Sequence, residues 1–459
     1  MRRLYIETVG CQMNVLDSEL VVAGLLRQGY ELVDNMREAD TILFNTCSVR
    51  AHAEDKVYSV LGRLKHVKEH RPGTIIGVLG CMAQKDRHKI FRRAPHVDLV
   101  VGPGRLGQLP VLLQRAAAGE GPFLQISKDR NEGNRLTVLE SFEPYDPGRT
   151  EKMRPAPHQA MVRIMSGCDK FCSYCVVPNV RGPEQSRTAG EIEAEIRGLV
   201  DEGCLEVTLI GQTVNSYKDP ASGKTVRLAD LLHRLHEIDG LARLKFVTNH
   251  PRYMTGDLIK AVRDLPKVSP YFHVPAQSGS NAILKRMNRG YTVEQYREML
   301  AEIRQKVPHA AVTSDFIVGF CGETEEDFQR TVGLVRDARF KNSFIFKYSP
   351  RPNTKADELY EDDVPYPVKQ RRNNELLAIQ NAISLEDNRP LAGRRVEILV
   401  EGPSKASKKH SGDAEITQLV GRTVDDRIVV FDGPRDLTGR LIEVEIEKVD
   451  AFTLFGRQI

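Results

Sequence analysis

Short apolar runs rich in β-branched and aromatic residues recur through the N-terminal part of the chain. Leu4–Val9, Thr41–Phe44 and Thr74–Leu79 each have about the length of a buried strand and end near Gly or Asn. Helix-like segments, Asp17–Gln28 and His52–His70, lie between them. Alternation of this kind predicts a parallel sheet with right-handed crossovers. The unit closes with Asp98–Gly102 and an amphipathic segment, Leu106–Ala118, so residues 2–118 are expected to form one α/β domain. The polar, Pro- and Gly-containing stretch 119–155 reads as a linker, packed in places. Strand and helix signals then alternate again within 154–388, at Met161–Ile164, Glu206–Ile210, Leu244–Thr248, Val312–Val318 and Ser343–Phe346. That pattern predicts a partial βα barrel with its functional residues at the carboxyl ends of the strands. Residues 389–459 change character. Arg395–Val400, Arg427–Phe431 and Leu441–Ile446 alternate apolar and polar positions between Gly-rich turns, as in a small antiparallel β-barrel.

Composition adds little. At 459 residues the chain exceeds what one core supports, in keeping with two or three domains. Its 66 basic and 62 acidic residues leave a formal charge of +4, which does not mark a nucleic-acid binder. A local patch, Arg389, Arg394, Arg395, Lys405, Lys408 and Lys409 against Glu397 and Glu401, is a weak pointer to RNA, because most charge runs are solvated faces. Eight cysteines with neither a signal peptide nor a long apolar span suggest a reducing cytoplasm, no membrane, and thiols that serve metals.

The cysteine spacing changes the picture. Cys168, Cys172 and Cys175 form a C-x3-C-x2-C triad within Ser166–Cys175. Three thiolates in one loop can hold three corners of a four-iron cluster and leave one iron open to a small chelating molecule. The competing reading is a zinc knuckle, but zinc wants a fourth ligand. The nearest candidate is His158, ten residues earlier on a strand. The triad resembles the signature of radical S-adenosylmethionine (SAM) enzymes. Cys11, Cys47 and Cys81 follow three predicted strands at intervals of 36 and 34 residues. In a parallel sheet all three would converge on the carboxyl edge, where ligands bind. Free thiols are often simply core; three in register read as ligands of a second cluster.

Longer motifs carry a family resemblance. Gly10–Asn14, Asn45–Arg50 and Gly80–Gln84 resemble the three cysteine motifs of the methylthiotransferase family, and Ser166–Arg181 its tRNA-modifying MiaB branch. The likeness continues through Leu209–Tyr217, Pro275–Ser280, Met287–Thr292 and Asp315–Thr324. It implies two [4Fe-4S] clusters, one on Cys11, Cys47 and Cys81, the other on Cys168, Cys172 and Cys175 with SAM at its open iron. One SAM would methylate the sulfur and a second would make the radical. The implied target is C2 of N6-(dimethylallyl)adenosine at position 37 of tRNA. Implied partners are the tRNA anticodon stem-loop, an electron donor of reduced flavodoxin or ferredoxin type, and a sulfur donor, with the chain a monomer. The C-terminal barrel is similar to the TRAM RNA-binding domain. Sister branches acting on a ribosomal-protein aspartate or on threonylcarbamoyl-adenosine are the alternatives within the family. A non-catalytic iron–sulfur or zinc RNA-binding protein is the alternative outside it, and would leave the barrel motifs without a purpose.

Other residues are candidates for the SAM pocket: Gly211, Gln212, Gln277, Ser278, Gly319 and Glu323, all at strand ends. For the glycines the competing reading is tight packing, and for Gln277 and Ser278 a cap before a helix at Asn281. Arg181 and Arg187 would hold an anion or a salt bridge. Asn14 would orient substrate or shape a turn, and Cys204 is expected in the core. Cys321 and Thr213 depart from the family pattern, where proline and asparagine are usual; Cys321 would place an extra thiol near the SAM site.

Overall fold

The computed structural model describes residues 2–48, 51–154, 156–221, 226–407 and 416–459, residues 51–53 and 152 by their backbone alone. Val49 and Arg50 of the second cysteine motif, and Lys408, Lys409 and His410 of the basic patch, lie outside the described residues.

Six parallel strands form the N-terminal sheet: β1 (Arg2–Val9), β2 (Tyr30–Leu32), β3 (Thr41–Thr46), β4 (Ile75–Leu79), β5 (Leu99–Val101) and β6 (Phe123–Gln125), in the order β2-β1-β3-β4-β5-β6. β3 and β4 are buried at every position, as central parallel strands covered on both faces must be. Helix α1 (Gln12–Leu26) begins earlier than the pattern from Asp17 suggested, because Cys11 itself sits at its N-cap in an extended conformation. Helices α2 (Ala51–His70) and α3 (Cys81–Asp86) follow β3 and β4. The expected linker is largely built in: β6 completes the sheet, and a short helix spans Arg135–Glu140.

The central region carries six parallel strands in chain order. Gln159–Arg163, Glu206–Ile210 and Arg243–Phe246 form one hydrogen-bonded triplet; Tyr271–His273, Ala311–Val318 and Asn342–Lys347 form the other. The triplets meet through bonds such as Ser269 N–H to Leu244 O and Asn249 N–H to His273 O. The result is an open βα barrel whose first and last strands do not meet. Helices cover the outside and share its largest apolar core. The C-terminal strands close into a five-stranded barrel, antiparallel except where Ile428–Pro434 runs parallel to Thr453–Gln458.

Buried ion pairs join these parts. Arg149 binds Glu19 of α1 at 2.8 Å and Glu195 of a barrel helix at 2.9 Å, with its side chain 1% exposed. Met13, Leu16 and Leu20 of α1 pack on Ile210, Met161 and Val247. The N-terminal domain therefore caps one side of the barrel mouth.

Candidate active site

Cys11, Cys47 and Cys81 all stand past the carboxyl ends of neighbouring strands, β1, β3 and β4. A polar lattice fixes the first. The Cys11 thiol donates to Asn14 Oδ1 at 3.2 Å; Asn14 Nδ2 donates to Asn45 Oδ1 at 3.0 Å, and Asn45 Nδ2 returns to Asn14 O at 2.9 Å. Gly80, at φ 86°, has no room for a Cβ, which would fall 2.2 Å from Asn45 Oδ1. Hydrogen bonding from Cys47 outweighs burial and holds Cys11 down at about 5, with Arg181 helping. Burial instead raises Cys81.

The second triad occupies a loop held from several directions. Cys168 N–H donates to Gly182 O, and Ser173 N–H to Met287 O at 2.9 Å. Gly167 adopts φ 76°, and a Cβ there would lie 2.0 Å from Pro183 O. Arg289 Nη1 points at Cys172 Sγ from 3.2 Å. Thr213 Oγ1 lies 3.8 Å from Cys168 Sγ, so the residue that departs from the family pattern stands directly beside a cysteine. Burial, reinforced by Cys172, pushes Cys175 up to about 12, and burial raises Cys168 also.

The two triads meet. Cys81 packs in one small cluster with Val176 and Val180, which immediately follow Cys175. Arg181, at the end of the same short helix Val177–Val180, donates through Nε to Cys81 Sγ at 3.3 Å and pairs with buried Asp17 at 2.7 Å. Among the described residues no three Cys, His, Asp or Glu side chains converge closely enough to hold one metal ion. Ligands of a cluster bind separate irons and stand farther apart than ligands of one ion. His158 is no fourth ligand: it lies against Gly439 of the C-terminal barrel.

Other candidates divide. Gln212 Oε1 is buried just past the end of Glu206–Ile210 with no hydrogen-bond partner among the described residues. Gln277, at φ 68°, uses its backbone to bridge Asp315 O and Ile317 N–H. Ser278 is spent inside the turn, accepting from Ser280 N–H, while Ser280 caps the following helix. Glu323 accepts from Gly319 N–H at 2.6 Å and Arg372 Nη1 at 2.8 Å. Gly211 and Gly319 are close-packed: a Cβ would lie 2.5 Å from Met165 and 2.3 Å from Lys369 respectively. Arg187 is an internal bridge to Glu195 at 2.5 Å. Cys204 is core, and so is Cys321, packed among Ile283, Met287, Phe320 and Tyr348 in a cluster that Tyr174 of the cysteine loop joins.

Comparison with known proteins bears on this arrangement. Residues 3–102 match a family described as uncharacterized protein family UPF0004, residues 162–335 the radical SAM superfamily, and residues 390–459 the TRAM domain. A tRNA-2-methylthio-N(6)-dimethylallyladenosine synthase of Rhodopirellula baltica is 58% identical over 99% of this chain and 95% of its own. The chain belongs to that synthase family. Synthases of Acidovorax sp. and Carboxydothermus hydrogenoformans are 44% and 43% identical, covering 100% and 98% of this chain and 98% of each of their own. The fold also matches the radical SAM methyltransferase TsrM of Kitasatospora setae, at a TM-score of 0.55 and 13% identity over 88% of this chain and 79% of that one.

A radical SAM synthase of this family requires a [4Fe-4S] cluster and SAM. The donor set fits: each cysteine triad has a buried guanidinium aimed at a sulfur, which suits an anionic cluster better than neutral thiols. Thiols that burial and their neighbours hold protonated gain from the positive charge that iron brings. Sequence reading passed over Arg289, although it lies inside the quoted Met287–Thr292 motif. It also passed over Arg130, in the expected linker, which donates to Cys168 O, Gly182 O, Pro178 O and the Asp169 carboxylate.

Proposed function

We propose that the chain methylthiolates C2 of N6-(dimethylallyl)adenosine at position 37 of tRNA, with SAM as methyl donor and radical source. The observation that carries the reading is the junction at Val176–Arg181, which sets one cysteine triad against the other. The names of the full-length relatives and the RNA-binding class of the TRAM domain support it. In this reading Cys168, Cys172 and Cys175 hold one [4Fe-4S] cluster with SAM at its open iron, and Cys11, Cys47 and Cys81 hold the second. Bound there, the groups supply one-electron chemistry that takes hydrogen from an unactivated carbon, and the sulfur and methyl that replace it.

The protein's own part is placement and charge. Arg289 and Arg181 offset negative charge at the two triads. Gln212 and Gln277 offer polar groups to SAM, with Gly211 and Gly319 shaping the strand ends and Ser278 and Glu323 bracing the turns behind them. Helix α1 closes one side of the barrel mouth with Met13, Leu16 and Leu20 and excludes water there. Residues 2–118, 154–388 and 389–459 then serve sulfur supply, SAM chemistry and RNA contact. A base in an RNA loop is splayed out at a cost of a few kcal/mol. The reading calls for a flavodoxin- or ferredoxin-type electron donor, a sulfur donor, a monomeric chain and a cytoplasmic setting; no helix among the described residues is long and apolar enough to cross a membrane.

Mass spectrometry of tRNA nucleosides from a bacterium lacking its own methylthiotransferase tests the proposal. Expression of this chain should produce the 2-methylthio form of dimethylallyladenosine. Cys172→Ala should lose both product and SAM cleavage, whereas Cys47→Ala should lose product and keep cleavage. Unchanged nucleosides with a fully metallated wild-type chain would sink the substrate assignment.

A further inference from the structure

Among the described residues the last barrel strand, Asn342–Lys347, pairs with Ala311–Val318 alone and leaves its other edge open. Its side chains alternate. Ser343 and Ile345 face the helices, Ser343 Oγ bonding Gln380 and Ile345 joining the core. Phe344 and Phe346 are 55% and 42% exposed, with ring centroids 6.5 Å apart and planes within 18°. Register sets Phe344 beside Asp315 and Phe346 beside Ile317. Phe316 and Val318 belong to the helix-packed core, so Asp315, Ile317, Phe344 and Phe346 share the inner face of the barrel. Two exposed phenyl rings on an edge strand are an aggregation liability unless something covers them.

Polar groups around the rings say what does. Asp315 Oδ1 is buried without a hydrogen-bond partner, while Oδ2 lies 3.5 Å from His273 Nε2. Lys347 lies instead on the helix-facing side with Ser343 and Ile345, its ammonium against exposed Tyr366 at the start of helix Tyr366–Asn388. The inner wall therefore offers an apolar surface with an acceptor beside Phe344. A branched hydrocarbon buries its surface on such rings, and a polar N–H beside it finds the acceptor.

We infer that Phe344 and Phe346 are the specificity-determining residues for the N6 substituent, taking the dimethylallyl group of a splayed-out adenine on their faces. A dimethylallyl-adenine matches the wall at each point: its branched hydrocarbon meets the phenyl rings, and its N6–H can donate to Asp315. An N6 substituent ending in a carboxylate, such as threonylcarbamoyl, would set its charge near Asp315 against apolar rings, a desolvated like-charge contact. The inference rests on the functional reading above and adds the residues that choose the substrate.

Fluorescence anisotropy on the full-length chain tests it, using labelled anticodon stem-loop RNA that carries either dimethylallyladenosine or plain adenosine. Wild type should bind the prenylated RNA about tenfold more tightly, equivalent to ~1.4 kcal/mol. Phe344→Ala with Phe346→Ala should erase the preference and leave the Kd for plain RNA within about twofold. Leu at both positions, which keeps apolar area, should restore part of it. A preference that survives the double Ala change, equal weakening for both RNAs, no preference in wild type, or a self-association of wild type lost in the variant would each overturn the inference. Binding needs no turnover, so a chain that discriminates between the RNAs yet never thiolates would refute the functional reading and leave this inference standing.

Discussion

Arg181 and Asp17 form a charge pair that water barely reaches: their side chains are 3% and 0% exposed at 2.7 Å. Asp17 also faces Arg163 at 3.5 Å, and Arg181 also faces Cys81. Removing one partner of such a pair strands the other charge in a low-dielectric site, typically at about 3–5 kcal/mol. Arg181→Gln should therefore lower the denaturant stability of the N-terminal domain and its docking by that order, and Asp17→Asn in the same chain should return part of the loss. A strictly additive double-mutant cycle would show that the two residues do not act as a pair. Spacing alone revealed the cysteines: Cys168, Cys172 and Cys175 share one loop, and Cys11, Cys47 and Cys81 recur once per βα unit. It could not reveal their counter-charges, since Arg181 is 100 residues from Cys81 and Arg289 is 117 from Cys172.

The Gly319–Thr324 turn shows how an element gives a residue its duty. Gly319, at φ 70°, turns its N–H onto the Glu323 carboxylate, and Arg372 from the long helix Tyr366–Asn388 closes the clamp. Burial nevertheless pushes Glu323 up to about 7 against an ordinary 4.5. The folded state then binds more protons than the unfolded state between those values, so this group's contribution to stability falls as pH rises from 4.5 to 7 and stays low above. At ~1.36 kcal/mol per unit the span corresponds to roughly 3 kcal/mol. Glu323→Gln should flatten that part of the stability–pH profile measured by urea denaturation; an unaltered slope would assign the titration elsewhere. Other features of these elements left no mark in the pattern. Phe171, Thr248, Gln277 and Asn288 all take positive φ around the candidate site, each at a cost of about 1–3 kcal/mol that the surroundings must meet. β6 is three residues long, too short for any periodicity to announce, so its sequence looks like linker.

At the scale of the whole molecule, charge pairs hold the C-terminal barrel beneath the open βα barrel. Asp426 faces Lys245 at 3.2 Å and Arg422 at 3.1 Å, while Lys245 also binds Glu206 at 2.9 Å. Arg243 donates to Arg422 O at 2.7 Å and pairs with Glu397 at 3.0 Å. Asp426→Asn keeps the residue type that tolerates its φ of 67° and removes the charge. Hydrogen exchange in Ile416–Thr423 and Ile428–Pro434 should quicken about tenfold, or ~1.4 kcal/mol, with little change in the sheet β1–β6. Uniform acceleration across the chain would mean that the parts unfold as one unit. Apolar runs, helical segments and apolar–polar alternation by themselves determined the order of parallel α/β sheet, open barrel and small β-barrel, and cysteine spacing marked out two triads, one within a single loop and one repeating with the βα unit; these signals are carried by short segments and by the repeat of one unit. Tertiary structure alone decided that the triads meet across Val177–Val180, that Glu323 and Ser278 brace turns, that Cys321 is core, and that Phe344 and Phe346 face an open mouth. Each of those depends on which distant surfaces close on one another, and burial and charge pairing across a hundred residues leave no period in the chain.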